Sequence, residues 1–135
     1  MKEGIQASHP INELRDYGCY FFVLLRWAEI LRGAEFDDAD ITQIFEYCKY
    51  KGWMEDDCFI VNPVAVLNSC VGINQFSTVR QSKNVPTEEL YAVYLKKPGH
   101  GHFVLGNRSG ILWDSLDPGR LGVKDYRVDS YRIIT

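Results

Sequence analysis

The sequence predicts an α+β domain in which N-terminal helices pack on a C-terminal antiparallel sheet. Apolar residues recur at helical spacing in the first half of the chain. After Asn74 they come in short extended runs broken by Pro, Gly, Asn and Asp. The two kinds of segment do not alternate, which excludes the parallel sheet of a βαβ fold.

A helix is expected over Asp16–Leu31, where Tyr20, Val23, Leu24, Trp27, Ile30 and Leu31 follow helical spacing. Tyr17-Gly18 supplies the break at which it begins, so Cys19 falls in its first turn. A second helix is announced by Asp40 as cap, carries Ile41, Ile44, Phe45 and Cys48 on one face, and stops near Lys51-Gly52. The third has Asn62 as cap and Pro63 at its first position, and runs through Val66, Leu67 and Cys70 to Gly72. Five strands are expected over Gln75–Arg80, Leu90–Lys97, Gly101–Gly106, Gly110–Leu116 and Tyr126–Thr135.

A chain of 135 residues is long enough to bury one core without disulfides or metal, so a single domain is expected over residues 11–135, preceded by a flexible arm over 1–10. Apolar residues make up 46% and charged ones 24%, an ordinary globular balance. The net charge of −3 decides little, but no dense Lys/Arg stripe appears, so a phosphate-tracking surface is not indicated and no nucleic acid partner is expected. No export signal is visible near the start of the sequence and none is expected, and the longest apolar run, Cys19 to Leu31, carries Arg26 and Glu29 and is too short to span a bilayer. No membrane association is expected, and the location expected is cytoplasmic. The four cysteines, Cys19, Cys48, Cys58 and Cys70, match no zinc spacing, and neither a metal nor a cofactor is expected.

Cysteine at the start of a buried helix has a specific physical meaning: the unpaired amides and dipole of the helix N-terminus stabilise a thiolate. Cys19 is therefore the candidate nucleophile. A thiolate needs a base, and among the 3 histidines His102 is the candidate, because it opens the apolar strand His102-Phe103-Val104-Leu105. His9 lies in the arm and His100 in the turn Pro98-Gly99-His100-Gly101. Face parity then proposes the residue that orients the ring. A three-residue loop over Arg108-Ser109-Gly110 pairs Asn107 with Ile111 and sets Asp114 on the His102 face, whereas an even loop would substitute Asp117.

Gly18-Cys19-Tyr20-Phe21 opening a helix, then His102-Phe103-Val104-Leu105, then an Asp ending the next strand, resembles the papain-like cysteine peptidases, and in order and size most of all the bacteriocin-processing peptidase domains. Those domains place an aspartate-proline pair after the His strand, which favours Asp117. Trp113-Asp114-Ser115-Leu116 instead resembles the segment of the SUMO-processing and adenoviral proteases whose Asp orients the His, and with parity it favours Asp114. The resemblance implies a papain-like fold and a thiol protease or amidohydrolase using a Cys19-His102-Asp114 triad on a peptide or protein substrate. Its glutamine, the oxyanion donor six residues before the cysteine, is here Glu13; Asn12, Gln6 or the Cys19 amide alone would have to serve, with Asn12 the nearest amide side chain. The alternative is a catalytically silent papain-like module that binds a peptide or protein partner.

Overall fold

A computed structural model describes residues 1–116 and 124–135. Four helices come first: α1 (Asn12–Tyr17), α2 (Cys19–Arg32), α3 (Asp38–Tyr50) and α4 (Pro63–Val71). Five strands follow: β1 (Val79–Ser82), β2 (Leu90–Lys97), β3 (His100–Asn107), β4 (Gly110–Trp113) and β5 (Arg127–Ile134). They form one antiparallel sheet in the order β1-β5-β2-β3-β4, so the last strand of the chain lies second from one edge. The architecture is α+β. Among the described residues no helix is long and apolar enough to cross a membrane.

The central helix is α2. Phe21, Phe22, Val23, Leu24 and Leu25 are all fully buried, so it is enclosed nearly all round rather than along one stripe. It packs against α4 and β3, and ends where Gly33 takes the left-handed conformation at φ 68°. The main core joins the four helices to Ala92, Leu105, Trp113 and Ile134 of the sheet. A second, smaller cluster of Tyr91, Val93, Leu95, Val104, Tyr131 and Ile133 buries further sheet residues.

Several local expectations are corrected. The cap of α3 is Asp37, not Asp40; its Oδ1 accepts from the Asp40 amide at 2.8 Å while Asp40 Oδ2 accepts from the Asp37 amide at 3.0 Å. The hairpin between β3 and β4 pairs Asn107 with Gly110 across two residues, not Asn107 with Ile111. A register shift then restores the count, so that Leu105 faces Trp113, and the strand delivers Asp114 beside His102 after all. The alternative residue Asp117 lies outside the described residues.

The arm expected over residues 1–10 is packed onto the domain. Met1, Gln6 and His9 are buried, and the backbone amides of Gly4 and Gln6 bond the carbonyls of Asp114 and Ser115 at 3.1 and 2.9 Å. The Met1 amino group meets Glu29 Oε2 at 2.7 Å, and the same oxygen accepts from the Phe36 amide. His9 stands edge-on to Phe22 with its Nδ1 accepting from the Ile11 amide, and burial pulls its pKa down. The segment is polar in sequence, and the contacts that pack it come from α2 and from Asp114 and Ser115 at the far end of the chain.

Gly18 sets the junction between α1 and α2. A Cβ there would lie 2.5 Å from the Leu14 carbonyl oxygen and 2.9 Å from Leu14 Cα, both backbone atoms that cannot move aside cheaply. Its φ of −86° is open to any residue, so the constraint is contact and not conformation. Gly18→Ala is expected to destabilise the fold by about 1–3 kcal/mol, read as a lower midpoint in urea unfolding; an unchanged midpoint would show that α1 can slide without cost.

Candidate active site

Three elements bring the candidate residues together. Cys19 is the first residue of α2, behind Gly18, and no side chain caps this helix. The first intrahelical bond runs from the Phe22 amide to the Gly18 carbonyl at 2.9 Å, so the amides of Cys19, Tyr20 and Phe21 precede the ladder and have no acceptor within the helix. His102 comes from β3, where it pairs with Leu95 of β2. Asp114 follows the last residue of β4.

His102 Nε2 and Asp114 Oδ1 are 2.7 Å apart, with His102 only 3% and Asp114 0% exposed. Nε2 faces Asp114, and Cys19 is the other group that acts on the His102 ring. Burial by itself pulls the His102 pKa down. The bond to Asp114 and the influence of neighbouring Cys19 outweigh it and raise the value to about 9. At neutral pH the ring is then a cation, with Nε2 donating to Asp114 Oδ1.

Asp114 is held on several sides. Its Oδ1 also accepts from the Leu116 amide at 2.9 Å, while its own amide donates to Glu3 Oε1 at 3.2 Å. Its Oδ2 is buried without a partner among the described residues. Next to it, the Ser115 hydroxyl donates to Gln6 Oε1 at 2.6 Å, and Gln6 Nε2 donates to the Arg15 carbonyl at 3.1 Å. Glu3 and Gln6 thus clamp the Asp114 segment to α1, a role that no periodicity or motif in the sequence marks.

The structure does not bring Asn12 into the site. It is exposed, its Oδ1 accepts from Arg15 Nη2 at 2.9 Å, and it is absent from the cavity that Cys19 lines. Both ends of the Gln6 amide are occupied as described, so neither candidate side chain is a free donor beside Cys19. What remains there is the Cys19 amide itself, at the start of an uncapped helix.

That cavity has a volume of about 610 Å³. Its walls come from α2 (Cys19, Tyr20), from the hairpin in which Met54 bridges Ile60 (Asp57, Cys58, Phe59), and from the sheet (Val79, Gln81, Arg132). Cys58 stands in the hairpin at φ 68°, alone among the described non-glycine residues in having a positive φ. Burial, then the charges of Glu13 and Asp57, push its thiol pKa to about 12. Burial likewise raises Cys48 to about 11 and Cys70 to about 12. Tyr126 lies with its ring centroid 6.3 Å from that of His102, and burial followed by the charges of Cys19 and Asp114 raises its phenol pKa. The sequence carried no signal for Cys58 or Tyr126, because each reaches the site through a turn or a chain reversal. Among the described residues no group of three or more His, Cys, Asp or Glu could hold a metal ion.

A family model described as "Protein of unknown function, DUF261" matches residues 1–135. No curated protein and no solved structure matches the chain.

The His102 shift has a consequence for stability. A pKa raised from 6.5 to about 9 on folding means that this group stabilises the fold fully below pH 6.5 and that the contribution is lost as pH rises through about 9. The melting temperature of the wild type should therefore exceed that of His102→Gln most at pH 6, and the gap should shrink by pH 9.5. A gap that stays constant over this range would mean that the ring is neutral in the fold.

Proposed function

We propose that this chain, which belongs to the DUF261 family, is a cysteine hydrolase of papain-like descent that cleaves a peptide, isopeptide or related amide bond. The observation that supports this reading best is the buried His102 ring, which holds Asp114 at 2.7 Å and is acted on by Cys19, the first residue of a helix with no capping side chain. A buried His–carboxylate pair alone also occurs as a structural element. A cysteine at the open end of the line, on a cavity wall, is what nucleophilic catalysis adds.

In the proposed reaction the Cys19 thiol has already given its proton to His102, and Asp114 keeps the ring oriented. The thiolate attacks the amide carbonyl, and the oxygen that becomes negative meets the Cys19 amide at the N-terminus of α2. As the C–N bond breaks, His102 returns the proton to the leaving amine, leaving a thioester on Cys19. Water then attacks the thioester with His102 taking its proton, and the acid and free thiol are released. Glu13, in the place where the resembling enzymes carry a donor amide, makes the helix terminus the main oxyanion donor of this scheme.

Selective alkylation tests the reading without a known substrate. Iodoacetamide at about pH 6 should label Cys19 and spare the others, because Cys48, Cys58 and Cys70 are buried and burial raises each thiol. His102→Ala should slow that labelling by about tenfold or more, and Asp114→Asn by a smaller factor, both followed by mass spectrometry of the intact protein. Equal labelling of wild type and His102→Ala at pH 6 would sink the thiolate–imidazolium pair and leave the peptide-binding module as the better account.

A further inference from the structure

Among the described residues, two that line the Cys19 cavity stand out: Arg132, whose guanidinium has no counter-charge, and Tyr20, whose hydroxyl has no hydrogen-bond partner. The Arg132 guanidinium lies over the rings of Tyr94 and Phe103, 5.6 and 5.5 Å from their centroids. Its Nη1 donates to Ser130 Oγ at 2.8 Å and to the Tyr131 carbonyl at 3.4 Å. Both acceptors are neutral. Among the described residues the arginines in ion pairs are Arg15, Arg26 and Arg80, not Arg132. The Tyr20 hydroxyl is buried without a hydrogen-bond partner among the described residues, and its ring stacks on the same Phe103 at 4.2 Å. The Arg132 charge acts on that phenol. A half-buried cation with no counter-charge among the described residues and a hydroxyl with no acceptor there, on residues that line the same cavity, are a donor set that binds a carboxylate.

The adjoining strand indicates how such a ligand would lie. β1 is an edge strand, and Thr78 and Thr135 exchange both backbone bonds, at 2.9 and 3.0 Å. In the antiparallel ladder the residues that follow alternate, so Val79 and Gln81 turn their N–H and C=O groups away from β5. Both line the cavity with Cys19. An unpaired edge of this kind accepts an extended peptide as an added strand. The anionic side chain of the lining, Asp57, belongs to the opposite hairpin wall, where its Oδ1 accepts from the Phe59 amide at 3.1 Å. The cavity is thus basic at the sheet and acidic at the hairpin, which gives a bound peptide a direction.

We propose that Arg132 and Tyr20 form an anion subsite and that the Val79–Gln81 edge is the rail beside it, so that the molecule brought to Cys19 is an extended peptide bearing a carboxylate. The inference rests on the hydrolase reading only for what Cys19 then does. The carboxylate could be an acidic side chain or a chain end, and the test separates the two.

The probes are capped valine- and threonine-rich hexapeptides with one central glutamate, the same peptides with glutamine, and a neutral peptide with a free C-terminal carboxylate. Each is scored by the concentration that half-protects Cys19 from iodoacetamide at pH 8. At that pH an ordinary exposed thiol also reacts, so protection reads binding whether or not the Cys19–His102 pair is an active nucleophile. The glutamate peptide should protect at about tenfold lower concentration than its glutamine counterpart. Better protection by the free-carboxylate peptide would assign the subsite to a chain end. Arg132→Gln should bring the ratio of acidic to neutral peptide close to one. Tyr20→Phe removes only an unpartnered hydroxyl, so it reads out even if Arg132→Gln fails to fold, and it should cut the ratio about threefold. Equal protection by acidic and neutral peptides, or a ratio unchanged in the folded variants, overturns the subsite. Loss of selective labelling at pH 6 with protection intact removes the hydrolase and keeps the subsite.

Discussion

A carboxylate with no exposed surface persists only if something answers its charge, and Asp114 is fully buried. Its principal partner is the His102 ring at 2.7 Å, which becomes a cation because of it. The rest of the region is arranged around this pair. The Leu116 amide bonds the same oxygen, the bulge after the β3–β4 hairpin sets the register that delivers Asp114, and the turn formed by residues 3–6 ties the segment down from outside the sheet. Removal of one partner from such a pair leaves an uncompensated charge, typically a cost of about 3–5 kcal/mol, so the fold and the candidate site are one construction.

The other half of the site depends on a void. Gly18 has no side chain because the Leu14 carbonyl occupies the place where one would go, and this lets α1 and α2 abut with a single residue between them. The consequence is an α2 N-terminus that has neither a capping side chain nor a long loop folded over it. Free amides and a partial positive charge therefore meet the cavity at Cys19, while the residues immediately behind it, Phe21 to Leu25, anchor the helix in the core. A rigid helix end and a rigid strand meeting at one point is how folded proteins hold reacting groups within the narrow tolerance that catalysis needs.

The two ends of the chain are joined at this place as well. Residues of the first ten contact Asp114 and Ser115, and β5, the last strand, is inserted between β1 and β2, where it contributes Arg132 to the cavity. Contacts of such sequence separation are costly to close, and they pay back only when the whole domain is assembled. In the proposed enzyme, nucleophile, base, orienting acid and anion subsite come from α2, β3, the end of β4 and β5, so none of them is functional before the sheet is complete.

Much of this was legible in the chain itself. Helical spacing after Gly18 marks α2, Asn62-Pro63 and Gly72 bracket α4, and the extended runs after Asn74 announce an antiparallel sheet, because each of these signals lies within a few neighbouring residues. Cys19 and His102 stood out for the same reason: one opens a buried helix and the other leads an apolar run, although β3 itself begins two residues earlier, at His100, which the sequence alone places in a turn. Asp114 was reached through a loop count that was wrong at the turn and compensated by a bulge that no local pattern announces. Residues 1–10 read as a loose arm because they lack periodicity, whereas their partners, Asp114 and Ser115, are more than a hundred positions away. Asn12 was chosen by nearness in sequence and is turned to solvent in space. Local side-chain periodicity decided where helices and strands form and which residues begin them; register, long-range backbone bonds and burial decided which of those residues meet, because those quantities exist only once distant segments are packed.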